Sequence, residues 1–212
     1  MNLPRKWTML LIVVSLLLPG GGGDLIAQVL YQPDDESRLW IEGRSNINQF
    51  RCDAQEYDGQ ARLPEENSEQ ISPGSPPQQE APSLRVEIPV HSFECGRSRM
   101  NRDLTDALKA DRHPLITFEL IKAVALEPEP GLQGSGEHYR LEVTGTLTVA
   151  GVSRNVTFRV NGTALNNGRY HATGNKTILM TDYDVTPPTG LLGLVRAENE
   201  LTVHFDLYAV RR

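Results

Sequence analysis

The segment 139–160 constrains the fold most, because its apolar residues recur at every second position. That period gives a β-strand one apolar face and one polar face. The alternating apolar residues are Tyr139, Leu141, Val143, Leu147, Val149, Val156, Phe158 and Val160. Between the two runs, Ala150 and Gly151 are typical of a tight turn. The segment therefore predicts a β-hairpin.

Similar alternation predicts six further strands, eight in all. They cover residues 39–45, 47–57, 84–90, 116–120, about 169–180 and 201–207. Amphipathic strands of this length, joined mostly by short turns, are typical of an antiparallel sheet closed on itself. We therefore expect an all-β fold, an eight-stranded antiparallel β-barrel.

One α-helix is predicted, from Ser98 to Ala110. Met100, Leu104 and Leu108 recur at helical spacing, and Pro114 prevents the helix from continuing. A single short helix on a small barrel is expected to close or flank one end.

The interior of such a barrel is either filled by side chains or left open for one small ligand. Aromatic residues make up only 6% of the chain, which favours an open interior. A dry aliphatic cavity would favour a long hydrocarbon, at about 0.8 kcal/mol per buried methylene. From the pattern alone, a filled barrel without a ligand is an equal alternative. The residues predicted to line the cavity are Val86, Ile88, Ile116, Phe118, Leu120, Leu141, Val143, Leu147, Val156, Phe158, Val203 and Phe205.

Three regions outside the predicted strands complete the organisation of the chain. Residues 1–27 resemble a secretory signal peptide, because Arg5 and Lys6 precede a short apolar run that Pro19 ends. Residues 28–37 are interpreted as an N-terminal linker and 38–212 as the barrel domain. Residues 63–83, rich in Pro, Ser, Glu and Gln, are predicted to be a disordered loop inserted between two strands. A periplasmic or secreted protein is expected.

The two cysteines and the charge narrow the function. In an oxidising compartment, Cys52 and Cys95 would usually form a disulfide, although unpaired thiols or a redox or metal role stay open. The chain-entropy model gives about 4 kcal/mol of stabilisation for a disulfide that closes a loop of this length.

The net charge of -6 gives no basic field to attract nucleic acid. No metal ligand set is recognised, since Glu200 and His204 lack a third partner.

The sequence contains no zinc-protease, nucleophile-elbow, P-loop or dinucleotide motif. We expect a protein that is not an enzyme and has no cofactor. Tyr183, Pro187 and Leu191 lie in a Gly- and Pro-rich segment, which is interpreted as a flexible rim of the cavity or, alternatively, as a plain surface loop.

Four segments resemble the YceI-like family of polyisoprenoid-binding proteins, and the resemblance runs from about residue 39 to the end. The most specific piece is G-T-L-T-V-A-G-V-S-R-N-V at 145–156, combined with A-L-K-A-D-R-H-P-L-I-T-F at 107–118. The other pieces are R-V-E-I-P-V-H-S-F-E-C-G at 85–96 and T-D-Y-D-V-T-P-P-T at 181–189. The resemblance implies an extended, lipocalin-like barrel.

The same resemblance implies a ligand: the tail of an isoprenoid lipid, such as a polyprenyl quinone or polyprenyl phosphate, held for transport, storage or sequestration. It does not identify residues that would bind the head group. The alternative is a non-enzymatic stress-response or interaction protein with a filled barrel. Homodimerisation stays open.

Overall fold

The computed structural model describes residues 28–64, 82–126, 137–165, 168–190 and 194–212. The predicted signal peptide and most of the predicted 63–83 insertion lie outside the described residues. Leu63 and Pro64 belong to a strand, and Ser83 begins the next one.

Strands dominate the described part of the chain. They are β1 Gln28–Pro33, β2 Arg38–Ser45, β3 Gln49–Ala54, β4 Asp58–Pro64, β5 Ser83–Pro89, β6 Phe93–Glu94, β7 Leu115–Leu126, β8 Glu137–Val149, β9 Val152–Ala164, β10 Tyr170–Leu179, β11 Thr189–Gly190 and β12 Val195–Arg211. One α-helix, α1, spans Ser98–Ala107, and two short 3-10 helices span Val90–Ser92 and Met180–Tyr183.

Eight of these strands close an antiparallel barrel, which confirms the predicted fold class. The order around the ring is β1, β4, β5, β7, β8, β9, β10 and β12, and pairing of Tyr31 with Arg211 joins β12 back to β1. Strands β2, β3 and β6 continue from β12 as a side ribbon. Along β12, β1 pairs with residues 209–211 and β2 pairs with residues between 197 and 206, so the two neighbours cover different parts of that strand.

The eight ring strands differ from the eight predicted strands. The strands predicted at 39–45 and 47–57 correspond to the side ribbon, whereas β1 and β4 complete the ring. Residues 28–33 thus form a barrel strand and not a linker. Strand β4 escaped the prediction because its inner positions, Gly59 and Ala61, are too small to produce a hydrophobic alternation.

The predicted hairpin is confirmed in register and turn. Strands β8 and β9 pair continuously from Glu137 with Ala164 to Val149 with Val152. At the turn, Ala150 and Gly151 have φ angles of 49° and 82°. Both central residues of a type I′ turn need positive φ, and this turn matches the twist of the flanking strands.

The helix closes one end of the barrel, here called the helix end. It stops at Ala107 instead of Ala110, because Lys109 adopts a left-handed φ of 56°. Beyond it, Leu108 and Ala110 pack into a core shared with the hairpin turn and the second 3-10 helix. The largest fully buried side chains are Tyr183, Val90 and Cys52. The opposite end, where β1 meets β12, is called the far end.

Candidate functional site

All twelve residues predicted to line the interior lie on the inner face of the sheet. Cross-strand pairs show this directly: Val86 lies opposite Phe118, and Val143 lies opposite Phe158. Residues facing each other across an antiparallel pair project to the same side of the sheet. The register therefore places these residues on one face of the sheet, and their role in lining a ligand cavity stays a prediction.

Most of this inner face is not closed off from solvent. Ile88, Val143 and Val156 are buried, whereas nine of the twelve retain partial exposure. Those nine are Val86, Ile116, Phe118, Leu120, Leu141, Leu147, Phe158, Val203 and Phe205. These nine inward-pointing side chains are therefore not completely enclosed by the barrel.

A layer of three phenylalanines lies across the middle of the interior. The ring of Phe158 is 5.5 Å from that of Phe118 and 5.8 Å from that of Phe205, centroid to centroid. Two glycines make room for the layer: a Cβ on Gly145 would lie 2.3 Å from Phe118 Cζ, and one on Gly174 would lie 2.5 Å from Phe205 Cζ. The rings can therefore lie flat against the wall only because these positions lack side chains.

Between this layer and the far end, the wall is lined by unusually small residues. Register places seven alanines and glycines on the inner face there, alongside Leu141 and Leu207. They are Ala61, Ala123, Ala125, Gly162, Ala164, Ala172 and Ala209. Small side chains at facing positions leave unoccupied volume in the middle of a barrel. These residues were not among the predicted lining residues, although the strand register places them inward.

Aromatic residues mark the far end. Tyr31 of β1 and Tyr170 of β10 both project inward, and their rings meet edge to face with centroids 5.2 Å apart. Tyrosine combines an apolar ring with a polar tip, which suits a boundary between an apolar interior and water. These two residues were also missed by the sequence analysis.

The predicted rim residues do not form a common rim. Tyr183 is 1% exposed and belongs to the core at the helix end, and burial raises the pKa of its hydroxyl. Tyr183, the last residue of the second 3-10 helix, is therefore a packing residue. Pro187 is partly buried in the following segment, and Leu191 lies outside the described residues.

The predicted disulfide is present. Cys52 of β3 and Cys95, just after β6, are joined by a bond of 1.99 Å. The bond ties the side ribbon to the segment that leads into α1, beside the buried residues Leu39, Ile41 and Phe93. A disulfide fits an oxidising, extracytoplasmic location.

Polar groups concentrate outside the barrel interior. A cleft of about 620 Å³ lies between β1, β2 and β3, and its lining includes Asp34, Arg38, Arg51 and Asp53. His204 projects from the outer face and stacks on Trp40, with ring centroids 5.1 Å apart. Neither feature offers an apolar ligand a dry surface.

Two kinds of feature are absent from the described residues. Three or more His, Cys, Asp or Glu side chains do not come together anywhere in that part of the chain in a way that could hold a metal ion. Nor does any helix described there have the length and apolar character needed to cross a membrane.

A closed antiparallel barrel with one capped end and an apolar, partly accessible interior places the chain in the class of lipocalin-like barrels. The chain belongs to the family defined by the YceI-like domain, whose family model matches residues 33–209. The match begins inside β1 and ends inside β12. It therefore covers the ring strands from β4 to β10 and most of β12, and it confirms the resemblance recognised in the sequence.

Solved structures show the same fold. Burkholderia cenocepacia BcnA is similar with a TM-score of 0.60 at 21% sequence identity, over 83% of this chain and 98% of that one. A polyisoprenoid binding domain from Saccharophagus degradans, implicated in plant cell wall breakdown, has a TM-score of 0.62 at 15% identity, over 86% and 98% of the two chains. Comparison with curated protein sequences found no match.

Proposed function

We propose that this protein binds the apolar tail of a polyisoprenoid lipid inside its barrel, in the periplasm or outside the cell, and carries or sequesters that lipid without catalysis. The observation that carries the proposal is the interior itself. Its wall is apolar, and nine of its twelve predicted lining residues remain partly accessible. A hydrocarbon chain would remove those surfaces from water at about 25 cal/mol per Å².

Two further points support a long, flexible ligand. The alanines and glycines between the phenylalanine layer and the far end favour a lumen that follows the barrel axis. One similar structure is itself described as a polyisoprenoid binding domain. Periplasmic location is inferred from the leader-like residues 1–27 together with the disulfide.

Native mass spectrometry of the mature protein, purified from the periplasm of its own cells, tests the proposal. Extraction of the protein with organic solvent would then identify the cargo. Ala172→Trp places a large ring in the lumen, because Ala172 faces Gly162 and Leu207 on the inner side. Thr173→Trp adds the same ring to the outer face and is the matched control.

We expect a stoichiometric polyprenyl species on the wild-type protein and on Thr173→Trp, and none on Ala172→Trp. Circular dichroism would verify that both variants are folded. A wild-type barrel that stays empty after incubation with excess polyprenyl lipids would refute the proposal.

A further inference from the structure

Two exposed apolar side chains lie on neighbouring turns of the fold. Among the described residues, Leu194 and Ile47 are the most exposed large hydrophobic side chains, at 75% and 66%. Ile47 lies in the turn between β2 and β3, and Leu194 immediately precedes β12. Single exposed aliphatic residues are common on soluble proteins, but two at one corner of the fold are not accounted for in this way. We call the pair of Ile47 and Leu194 the apolar tip.

One asparagine joins the two turns. The side chain of Asn46 donates a hydrogen bond to the backbone oxygen of Leu194 at 2.9 Å and accepts one from the backbone N–H of Arg196 at 2.8 Å. The backbone N–H of Asn46 donates to the backbone oxygen of Arg196 at 3.1 Å. Because Asn46 directly precedes Ile47 in the chain, these three bonds hold the backbones of both tip residues beside each other.

The apolar tip stands on packed structure. Phe50 of β3 and Ala197 of β12, each three residues beyond a tip residue, pack against the core at the helix end. The turn between β2 and β3 is closed by the backbone N–H of Ser45, which donates to the backbone oxygen of Asn48 at 2.7 Å. The tip is therefore fixed at the helix end of the barrel.

Neither packing nor turn geometry accounts for Ile47. Most of its side chain is in contact with water, and tight turns favour Gly, Pro, Asn, Asp and Ser. A β-branched aliphatic residue in such a turn forgoes the free energy of burial and has no advantage for the backbone conformation. Contact with an apolar surface outside the molecule explains the residue better.

The charges nearest the apolar tip are basic. Arg44 lies three residues before Ile47. Arg196 lies two residues after Leu194, and both arginines are exposed. Beyond Arg196, the first acidic residue along β12 is Glu198. The whole chain carries a net charge of -6, so the basic pair is opposite in sign to the overall charge. Apolar side chains next to basic ones favour the interface of a membrane that contains anionic lipids.

The size of the apolar tip favours a bilayer over a protein partner. A stable protein interface buries roughly 800 Å² on each partner, from about 20–30 residues, and two aliphatic side chains supply only a small part of that area. Binding to a bilayer needs less, because it grows with the apolar area inserted and with the attraction to anionic head groups.

We propose that the apolar tip inserts into the surface of an anionic lipid bilayer, with Arg44 and Arg196 beside the phosphates of the head groups. The tip lies outside the barrel interior, so this docking does not depend on what the barrel holds. It brings the helix end of the barrel to the membrane surface.

Co-sedimentation of the mature protein with lipid vesicles tests the proposal. The protein lacks the leader-like residues 1–27, whose apolar run would add binding of its own. One set of vesicles contains phosphatidylcholine and phosphatidylglycerol in equal parts, and the other contains phosphatidylcholine alone. The double variant Ile47→Gln with Leu194→Gln removes the apolar tip. Ile121→Gln is the matched control, because Ile121 is 53% exposed on β7.

A second pair of variants tests the charges. Arg44→Gln removes a basic residue beside the apolar tip. Arg62→Gln is the control for net charge, because Arg62 is exposed on β4, where it lies opposite Leu30 of β1. Circular dichroism would verify that every variant is folded.

We expect the wild type to bind the vesicles with phosphatidylglycerol and to bind phosphatidylcholine much more weakly. The double variant should bind at least roughly tenfold more weakly, since two inserted aliphatic side chains are lost, whereas Ile121→Gln should bind as the wild type does. Arg44→Gln should weaken binding about fivefold and reduce its dependence on salt. Arg62→Gln should do neither.

Three results would overturn the inference. A wild type that stays in the supernatant with both kinds of vesicle would show that the protein does not dock. An equal loss for the double variant and for Ile121→Gln would place the contact elsewhere. Sedimentation velocity without vesicles covers the remaining occupant: a wild-type dimer that the double variant breaks into monomers would assign the tip to a second copy of this chain.

Titration with a polyprenyl lipid in the absence of vesicles separates this inference from the proposed function. The double variant should take up the lipid as the wild type does, because the tip lies outside the barrel interior. A wild type that takes up the lipid but does not bind vesicles would remove the docking alone. One that binds vesicles but takes up no lipid would remove the proposed function alone.

Discussion

The two halves of the barrel are built from the same strands but packed differently. At the helix end, Val90, Leu108, Met180, Tyr183 and Leu201 are buried against one another, and the disulfide ties down the neighbouring ribbon. Towards the far end, the same strands present alanines, glycines and partly accessible leucines to the interior. The contrast indicates that stability is concentrated at the helix end, which frees the other half to remain open.

Two leucines on one strand give the most direct test of this contrast. Leu201 and Leu207 both lie on the inner face of β12, but Leu201 is 8% exposed in the helix-end core whereas Leu207 is only partly buried. Leu201→Ala should lower the free energy of unfolding by about 2–5 kcal/mol. Leu207→Ala should lower it by only about 1 kcal/mol, because it removes less buried surface.

Urea unfolding of the two variants measures both effects, and titration with a polyprenyl lipid completes the comparison. We expect lipid affinity to fall for Leu207→Ala and to be retained by folded Leu201→Ala. Equal destabilisation by the two substitutions would show that both halves are packed alike.

Removal of the disulfide should lower the stability of the fold without changing the barrel interior. The double variant Cys52→Ser with Cys95→Ser is expected to lose about 2–4 kcal/mol of stability, since the unfolded chain is no longer constrained by the cross-link. The folded double variant should still bind lipid with the affinity of the wild type, because the Cys52–Cys95 disulfide lies outside the barrel interior. Urea unfolding under oxidising and reducing conditions checks the size of the effect. A lipid affinity that falls together with stability would show that the two halves are coupled.

The layer that separates the halves can be disturbed at a single glycine. A Cβ on Gly145 would lie 2.4 Å from Phe118 Cε2 and 2.6 Å from the backbone oxygen of Glu119. Gly145→Ala should therefore cost about 1–3 kcal/mol through overpacking and push the Phe118 ring into the lumen, which would weaken lipid binding.

Gly162→Ala is the matched control, because the nearest atom to its added Cβ would be 3.8 Å away, in ordinary contact. Thermal unfolding and lipid titration of both variants provide the measurement. If Gly145→Ala behaves like Gly162→Ala, the glycine does not position the phenylalanine layer.

How much was visible in the sequence depended on side-chain size. The hairpin of β8 and β9 was predictable because its inner positions carry large apolar residues. Strand β4 and the lining near the far end were not, because Gly59, Ala61 and Ala172 do not stand out as hydrophobic. The small residues that face inward near the far end are therefore those that hydrophobic alternation detects least.

The polar details were harder still to predict. Tyr183 was expected at a flexible rim because its neighbours are Pro and Gly, yet tertiary contacts bury it in the core. Lys176 lies in a strand whose two faces both carry polar residues, so alternation could not assign it to the interior. Only the strand register, in which Lys176 lies opposite Val203, places it on the inner face.

Tyr183 also gives the smallest expected effect, a loss of stability at alkaline pH that originates at the helix end. Its pKa is raised above the ordinary value of 10.0, chiefly because burial disfavours the phenolate. Since the unfolded tyrosine ionises first, its contribution is fully present below about pH 10 and is lost as the pH rises towards the folded pKa. Tyr183→Phe should remove this part of the pH dependence, so the difference in unfolding free energy between wild type and variant should narrow above about pH 10. Urea unfolding measured across the alkaline range would decide the point. A constant difference in unfolding free energy between wild type and variant would mean that the Tyr183 hydroxyl is not shielded from water, and that the helix end is not tightly packed around it.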